Sequence, residues 1–177
     1  MAICTLAGTG GCVSTSETIY PASWPVIETV QHTDCDHLAG RFKSVPDLVT
    51  PTDRGHARLT YWLAGSNWEI RTQAFAAVEL EVHDGQLAVR TYSPGIDGGA
   101  DVPIENWHCE NGRLVGTPPM SIQSEGHGAL HVAGQVVLER AVDRALVVHV
   151  HSRESGLSMI VPFRESKEYW FVYREAD

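Results

Sequence analysis

Residues 76–90 read AAVELEVHDGQLAVR and carry the plainest structural pattern in the chain. Apolar residues at positions 76, 78, 80 and 82 alternate with Ala, Glu, Glu and His, which is typical of a strand with one buried face. Asp84-Gly85 then suits a two-residue turn, because both residue types tolerate positive φ angles. The pattern predicts a hairpin in which Val82 faces Leu87 and Leu80 faces Val89.

Similar signals recur further along the chain. Asn111-Gly112 predicts a second hairpin, with Glu110 opposite Arg113. A third hairpin is predicted to pair Val136 and Leu138 with Val148 and Val150. A fourth turn at residues 153–156 is predicted to return the chain through Leu157, Met159, Val161 and Phe163, and the aromatic run 169–173 is predicted to be the closing strand. Helical spacing is limited to Leu59, Trp62 and Leu63.

Together these signals predict a mainly β protein. The 177 residues suffice for one domain with its own core, and 16 Gly and 9 Pro fit a fold with many tight turns. We expect a single-domain antiparallel meander over residues 33–177, which closes as a small barrel or a sandwich to hide its edges. At most one short helix is expected.

The net charge argues against a nucleic-acid partner, and the hydropathy argues against a membrane-spanning helix. The formal net charge of −9 argues against nucleic acid, since phosphate binding needs clustered Lys and Arg. No stretch approaches the roughly 18 to 20 apolar residues that a membrane-spanning helix requires.

The residues around Cys12 indicate lipid attachment. Thr9-Gly10-Gly11 places small residues before Cys12, as at a signal cleavage site that precedes a lipid-modified cysteine. Residues 1–11 lack Lys and Arg and contain only a short apolar run, so we interpret them as a truncated signal segment. Residues 12–32 are polar and contain Pro, which predicts a lipidated, flexible tether. The alternative is a Gly-rich terminus without a signal function.

The four cysteines leave two interpretations open. If Cys4 leaves with the signal segment and Cys12 carries lipid, then Cys35 and Cys109 remain and could form one disulfide in an oxidising compartment. Alternatively, the protein is cytosolic and all four thiols are free.

The histidines provide the candidate metal ligands. His149 and His151 share one face of a predicted strand, and a third ligand would come from His127, His131 or Glu139. Because nothing in the sequence selects that ligand, no metal site is predicted there. Residues 32–37 also read HTDCDH, but this spacing favours a polar loop over a zinc site.

No catalytic template is present in the sequence. The chain contains no Gly-x-Ser-x-Gly, Ser-x-x-Lys, His-Glu-x-x-His or phosphate-binding loop motif. Glu79 and Glu81 share a strand face, but Arg90 lies opposite and favours a solvated surface. We expect neither catalytic residues nor a cofactor.

The chain resembles the small envelope lipoproteins of proteobacteria. The resemblance rests on Cys12, on Asp34-Cys35 followed by LAGRF at residues 38–42, and on WHCENGRL at residues 107–114 before a C-terminal aromatic strand. It implies secretion, lipid attachment at Cys12 and a disulfide between Cys35 and Cys109. It implies no activity.

These observations lead to an expected function. We expect a membrane-anchored lipoprotein of the bacterial envelope that faces the periplasm and acts as a non-enzymatic binding module for a protein partner or the cell wall. The alternatives are a small β-barrel that carries an apolar ligand, with aromatic side chains at its mouth, and a metal-dependent hydrolase centred on His149 and His151.

Overall fold

The computed structural model describes residues 12–16, 18–28, 33–50, 58–64, 67–117, 131–158 and 161–177. Within these ranges the chain forms eleven strands, two short α-helices and one 3-10 turn (Asp36–Leu38). The strands are β1 (Cys12–Ser16), β2 (Gly40–Lys43), β3 (Leu48–Thr50), β4 (Ala77–His83), β5 (Gln86–Tyr92), β6 (Ala100–Val102), β7 (Trp107–Glu110), β8 (Arg113–Gly116), β9 (His131–Arg140), β10 (Leu146–Ser158) and β11 (Val161–Tyr173). The helices are α1 (Leu59–Leu63) and α2 (Trp68–Thr72).

The larger sheet contains seven strands in the order β1-β11-β10-β9-β8-β7, and β3 also pairs with β11. Strands β7 to β11 form the predicted antiparallel meander, whereas β1 pairs with β11 in parallel. The predicted third hairpin is confirmed, since Val148 pairs with Leu138 and Val150 with Val136. The Asn111-Gly112 hairpin is also confirmed, with Glu110 opposite Arg113.

The smaller sheet has the strand order β2-β4-β5-β6. Its central hairpin has the predicted register, in which Val82 pairs with Leu87 and Leu80 with Val89. Asp84 and Gly85 both adopt positive φ angles, 51° and 73°, as the two-residue turn requires.

One apolar core lies between the two sheets. Val78, Leu80 and Val89 from the smaller sheet belong to the same buried cluster as Leu138 and Val148 from the larger one. Helix α1 adds four residues to this cluster, Leu59, Tyr61, Trp62 and Leu63. The mainly β fold is therefore confirmed; the sheets do not close into a barrel, and their shared core is that of a sandwich.

The C-terminal residues connect the sheets at one corner. Beyond β11, the backbone N–H of Ala176 donates to Arg41 O in β2 (2.9 Å). The buried guanidinium of Arg140 donates to Glu175 there, with 2.6 Å between Nη2 and Oε1. Burial lowers the pKa of Arg140, and Glu175 opposes this effect by stabilising the charged form.

Two details of the predicted architecture are wrong. Residues 153–156 form no turn, because β10 continues through them and pairs with β11 as far as Ser158 opposite Val161. A second helix, α2, follows α1, and Asn67 caps it by accepting a hydrogen bond from Ile70 N (3.2 Å).

The flexible tether predicted for residues 12–32 is wrong wherever this segment is described. Residues 12–16 form β1, whose backbone pairs with residues 163–167 of β11. Residues 18–28, which we call the N-terminal strap, cross the outer face of the larger sheet. The strap joins the β9–β10 turn, because Val142 N donates to Val26 O (2.9 Å) and Glu28 N donates to Arg140 O (2.8 Å). Residues 1–11 and 29–32 lie outside the described residues.

Apolar burial explains why the strap is bound to the sheet. A second buried cluster lies on the outer face of the larger sheet, around Val147 and Val172. Tyr20 and Trp24 of the strap pack against this cluster, and the Tyr20 ring meets the Trp170 ring edge-on at 5.0 Å. The indole Nε1 of Trp170 donates to Thr18 O (2.8 Å). Aromatic residues that composition alone assigned to a tether therefore cover part of the sheet.

Candidate functional site

Polar side chains gather on the outer face of the larger sheet, next to the strap. His149 and His151 lie on this face of β10, two residues apart, as predicted. Across the ladder, His149 pairs with Trp170 and His151 pairs with Glu168. We call this group the histidine cluster: His149, His151, Ser166, Glu168 and Trp170.

His149 is held by stacking and by burial. Its ring lies parallel to the Trp170 indole, with 3.7 Å between centroids and 2° between planes. Its side chain is only 24% exposed, and its Nε2 is 3.9 Å from Glu168 Oε2. Burial lowers the pKa of His149, and nearby His151 lowers it further, while Glu168 acts in the opposite direction. His149 therefore favours the neutral form more strongly than a solvent-exposed histidine does.

His151 lies between a hydroxyl and a carboxylate. Its Nδ1 is 3.4 Å from Glu168 Oε1, and its Nε2 is 3.5 Å from Ser166 Oγ. In space, Ser166, His151 and Glu168 stand in the order of nucleophile, base and orienting carboxylate in hydrolases. Acyl transfer also needs N–H donors for the oxyanion. Ser166 is in the middle of β11 between Arg153 of β10 and Thr15 of β1, so ladder pairing occupies its backbone.

Among the described side chains, the candidate metal ligands do not form one three-ligand group. Glu139 shares the outer face, but its carboxylate is directed at Arg113, with 3.9 Å between Oε1 and Nη1. Burial raises the pKa of Glu139, and Arg113 opposes this effect. His127 and the side chain of His131 lie outside the described residues. Among the side chains that are described, no group of three or more His, Cys, Asp or Glu is placed to hold a metal ion.

The other sequence candidates have structural partners. In the HTDCDH segment, Asp34 Oδ1 accepts a hydrogen bond from Asp36 N (3.3 Å), as in a polar loop. Glu79 accepts a hydrogen bond from the Tyr92 hydroxyl, and Glu81 is 4.0 Å from Arg90. Glu81 lines the same cleft as Asp101, and Arg90 is paired with both carboxylates.

A cleft of about 280 Å³ lies beside β5 and β6. Leu87, Val89 and Ile104 line it, and the Arg90–Asp101 ion pair, with 2.9 Å between Nε and Oδ1, lies at its polar side. No aromatic residue contributes to its lining. It therefore differs from the aromatic-lined ligand site that the carrier alternative predicts.

The candidate cysteines fall at two places in the fold. Cys12 begins β1, and its backbone lies opposite Phe163. Cys35 and Cys109 form a disulfide with 5.9 Å between their Cα atoms. This bond ties the 3-10 turn before β2 to β7 of the larger sheet, and Cys35 is fully buried.

Sequence reasoning missed Ser166, Glu168 and Trp170 as neighbours of the histidines. These residues are two positions apart along β11, and this spacing indicates that they share one face of the strand. The turn predicted at 153–156 concealed the juxtaposition, because it would have paired the histidines with residues ten positions nearer along the chain. The misplaced turn thus concealed the histidine cluster.

Comparison with known proteins adds no family and no neighbour: no protein-family model, no curated protein and no solved structure matches this chain. In the part of the chain that the structure describes, no helix is both long enough and apolar enough to cross a bilayer.

Proposed function

We propose that this chain is a bacterial envelope lipoprotein, attached to a membrane at Cys12 and facing the periplasm, whose β-sandwich acts as a non-enzymatic binding module. The observation that carries the proposal is the Cys35–Cys109 disulfide. Such bonds persist in oxidising compartments and are rare in the cytosol. The bond joins segments 74 residues apart, so it constrains the whole domain.

The anchor is tested by mass spectrometry of the protein from the membranes of the bacterium that makes it. The expected mature chain begins at Cys12, carries the mass of acyl chains there, and has no titratable thiol at Cys35 or Cys109. The matched control is C12A, which should be recovered without lipid and with the same disulfide. A wild-type chain that retains residues 1–11 and four free thiols would contradict the proposal.

Binding is supported by an exposed apolar pair at the β9–β10 turn. Val26 and Val142 are 69% and 66% exposed and are joined by a backbone hydrogen bond. Single exposed apolar residues are common, but adjacent ones more often mark a contact surface. We therefore place the partner surface at this end of the molecule.

Site-specific photo-crosslinking tests this surface in intact cells. A photoreactive residue at Val142 should yield a crosslinked envelope protein. The control position is Ile96, which is 65% exposed but belongs to another turn and should yield none. Equal crosslinking from both positions, or none from Val142, would contradict the proposed surface.

A further inference from the structure

Two arginines on the outer face of the larger sheet have no acidic partner. Arg153 of β10 and Arg164 of β11 are both exposed. Within the part of the chain that the structure describes, neither makes an ion pair, a hydrogen bond or a ring contact. By contrast, Arg90 and Arg174 each pair with an aspartate. In a chain with a formal net charge of −9, this is a local concentration of uncompensated positive charge.

The strand register makes these two arginines neighbours. Arg153 pairs with Ser166, and Arg164 pairs with Ser155, so the four residues lie two positions apart along both strands and share one face. Diagonal neighbours in an antiparallel ladder are about 7 to 8 Å apart, which is within reach of long side chains. Two guanidinium and two hydroxyl groups therefore occupy one region of the sheet. We call Arg153, Ser155, Arg164 and Ser166 the Arg–Ser patch.

The carboxylates near the Arg–Ser patch are engaged by other groups. Ser166 Oγ is 3.5 Å from His151 Nε2, so the patch borders the histidine cluster on the outer face. Glu168 follows Ser166 on this face of β11, but its Oε1 is 3.4 Å from His151 Nδ1. Glu165 lies on the other face of β11, where its Oε2 is 3.1 Å from Lys167 Nζ. Among the described side chains, neither carboxylate pairs with the arginines of the patch.

We propose that the Arg–Ser patch binds a phosphate group. A guanidinium presents paired N–H donors that match two oxygens of a carboxylate or a phosphate. One bidentate guanidinium engages both oxygens of a carboxylate, whereas a phosphate group has further oxygens for the second guanidinium and the serine hydroxyls. The two positive charges also match a phosphate monoester, which carries about −1.5 to −2 at pH 7. This site is separate from the surface at Val142 and does not depend on the anchor at Cys12.

Titration of the full chain with glycerol 3-phosphate, followed by NMR of the arginine side-chain N–H groups, tests the site. The signals of Arg153 and Arg164 should shift and saturate. R153Q/R164Q should bind at least about tenfold more weakly, because it removes two charge-assisted contacts. Both arginines are exposed and unpaired, so this variant should keep the wild-type urea midpoint. The control R144Q/R174Q makes the same change in net charge elsewhere on the surface and should bind as the wild type does.

A soluble ester and a lipid headgroup both present such a phosphate, and vesicle flotation distinguishes them. Every protein in this arm carries C12A, so that no acyl chain contributes, and the vesicles are phosphatidylcholine with or without phosphatidic acid. Binding of glycerol 3-phosphate that R153Q/R164Q loses supports a site for soluble phosphate esters. Flotation with phosphatidic acid vesicles alone, again lost in R153Q/R164Q, supports a headgroup site. The proposal is overturned if neither probe binds, if acetate binds as tightly as glycerol 3-phosphate, or if R153Q/R164Q binds as tightly as R144Q/R174Q.

Discussion

His149 combines two properties that rarely occur together in a surface histidine. It stacks on Trp170 at 3.7 Å, and its Nε2 has no hydrogen-bond partner in the described part of the chain. Burial is the largest cause of its lowered pKa. A base whose pKa is lower in the folded state binds fewer protons there than in the unfolded chain. His149 therefore contributes stability at neutral pH that is lost as the pH falls below about 6.5, the ordinary value.

Replacing His149 with Phe should weaken this pH dependence. H149F keeps a ring against Trp170 but cannot take up a proton, while His151 and Glu168 stay in place. The free energy of unfolding, measured by urea denaturation at pH 7.5 and pH 5.5, should fall less on acidification for H149F than for the wild type. The control H83Q removes a histidine that is 90% exposed and should keep the wild-type slope. An unchanged slope in H149F would show that other groups set the pH response.

Whether the pairing of an element could be predicted from the sequence depends on how local that pairing is. The β4–β5, β7–β8 and β9–β10 hairpins were predictable because alternation and turn residues lie within a few positions of each other. The β10–β11 register was not, because Gly156, the last residue of the predicted turn, instead pairs with Phe163 within a continuous ladder. Strand β1 and the strap depend on contacts with β11 about 150 residues later, for which composition and local pattern carry no signal.

The strap contains a matched pair of positions that tests its packing. Trp24 is half-buried against the Val147–Val172 cluster, whereas Ile19 is 82% exposed. Because W24A removes a partly buried aromatic ring, it should lower the free energy of unfolding by about 1 to 2 kcal/mol. I19A should change it by less than about 0.5 kcal/mol. Urea denaturation of both variants provides the measurement. Equal, negligible effects would show that the strap does not pack stably on the sheet, as expected of a flexible tether.

At the scale of the whole molecule, the two sheets are held together in three ways. The shared core lies between them, the Arg140–Glu175 pair and the strand-like residues 174–176 join them at one corner, and the disulfide joins them through Cys35 and Cys109. Gly85, at the β4–β5 turn of the smaller sheet, lies against Cys109 of the larger one, since a Cβ added there would be 3.5 Å from Cys109 Cβ. The disulfide therefore closes the sandwich where the β4–β5 turn meets β7.

Removing this bond should lower the stability of the entire domain. In the chain-entropy model, releasing a loop of this length costs about 4 kcal/mol, because the unfolded chain regains its freedom. The variant C35A/C109A uses alanine, because serine would place a hydroxyl at the buried position 35. This variant should show that loss in urea denaturation under oxidising conditions. C12A changes a cysteine outside the bond and should match the wild type, and adding a reductant should destabilise the wild type but leave C35A/C109A unaffected. Equal midpoints for C35A/C109A and C12A would show that the sheets are held by packing alone, and would remove the main support for an oxidising compartment.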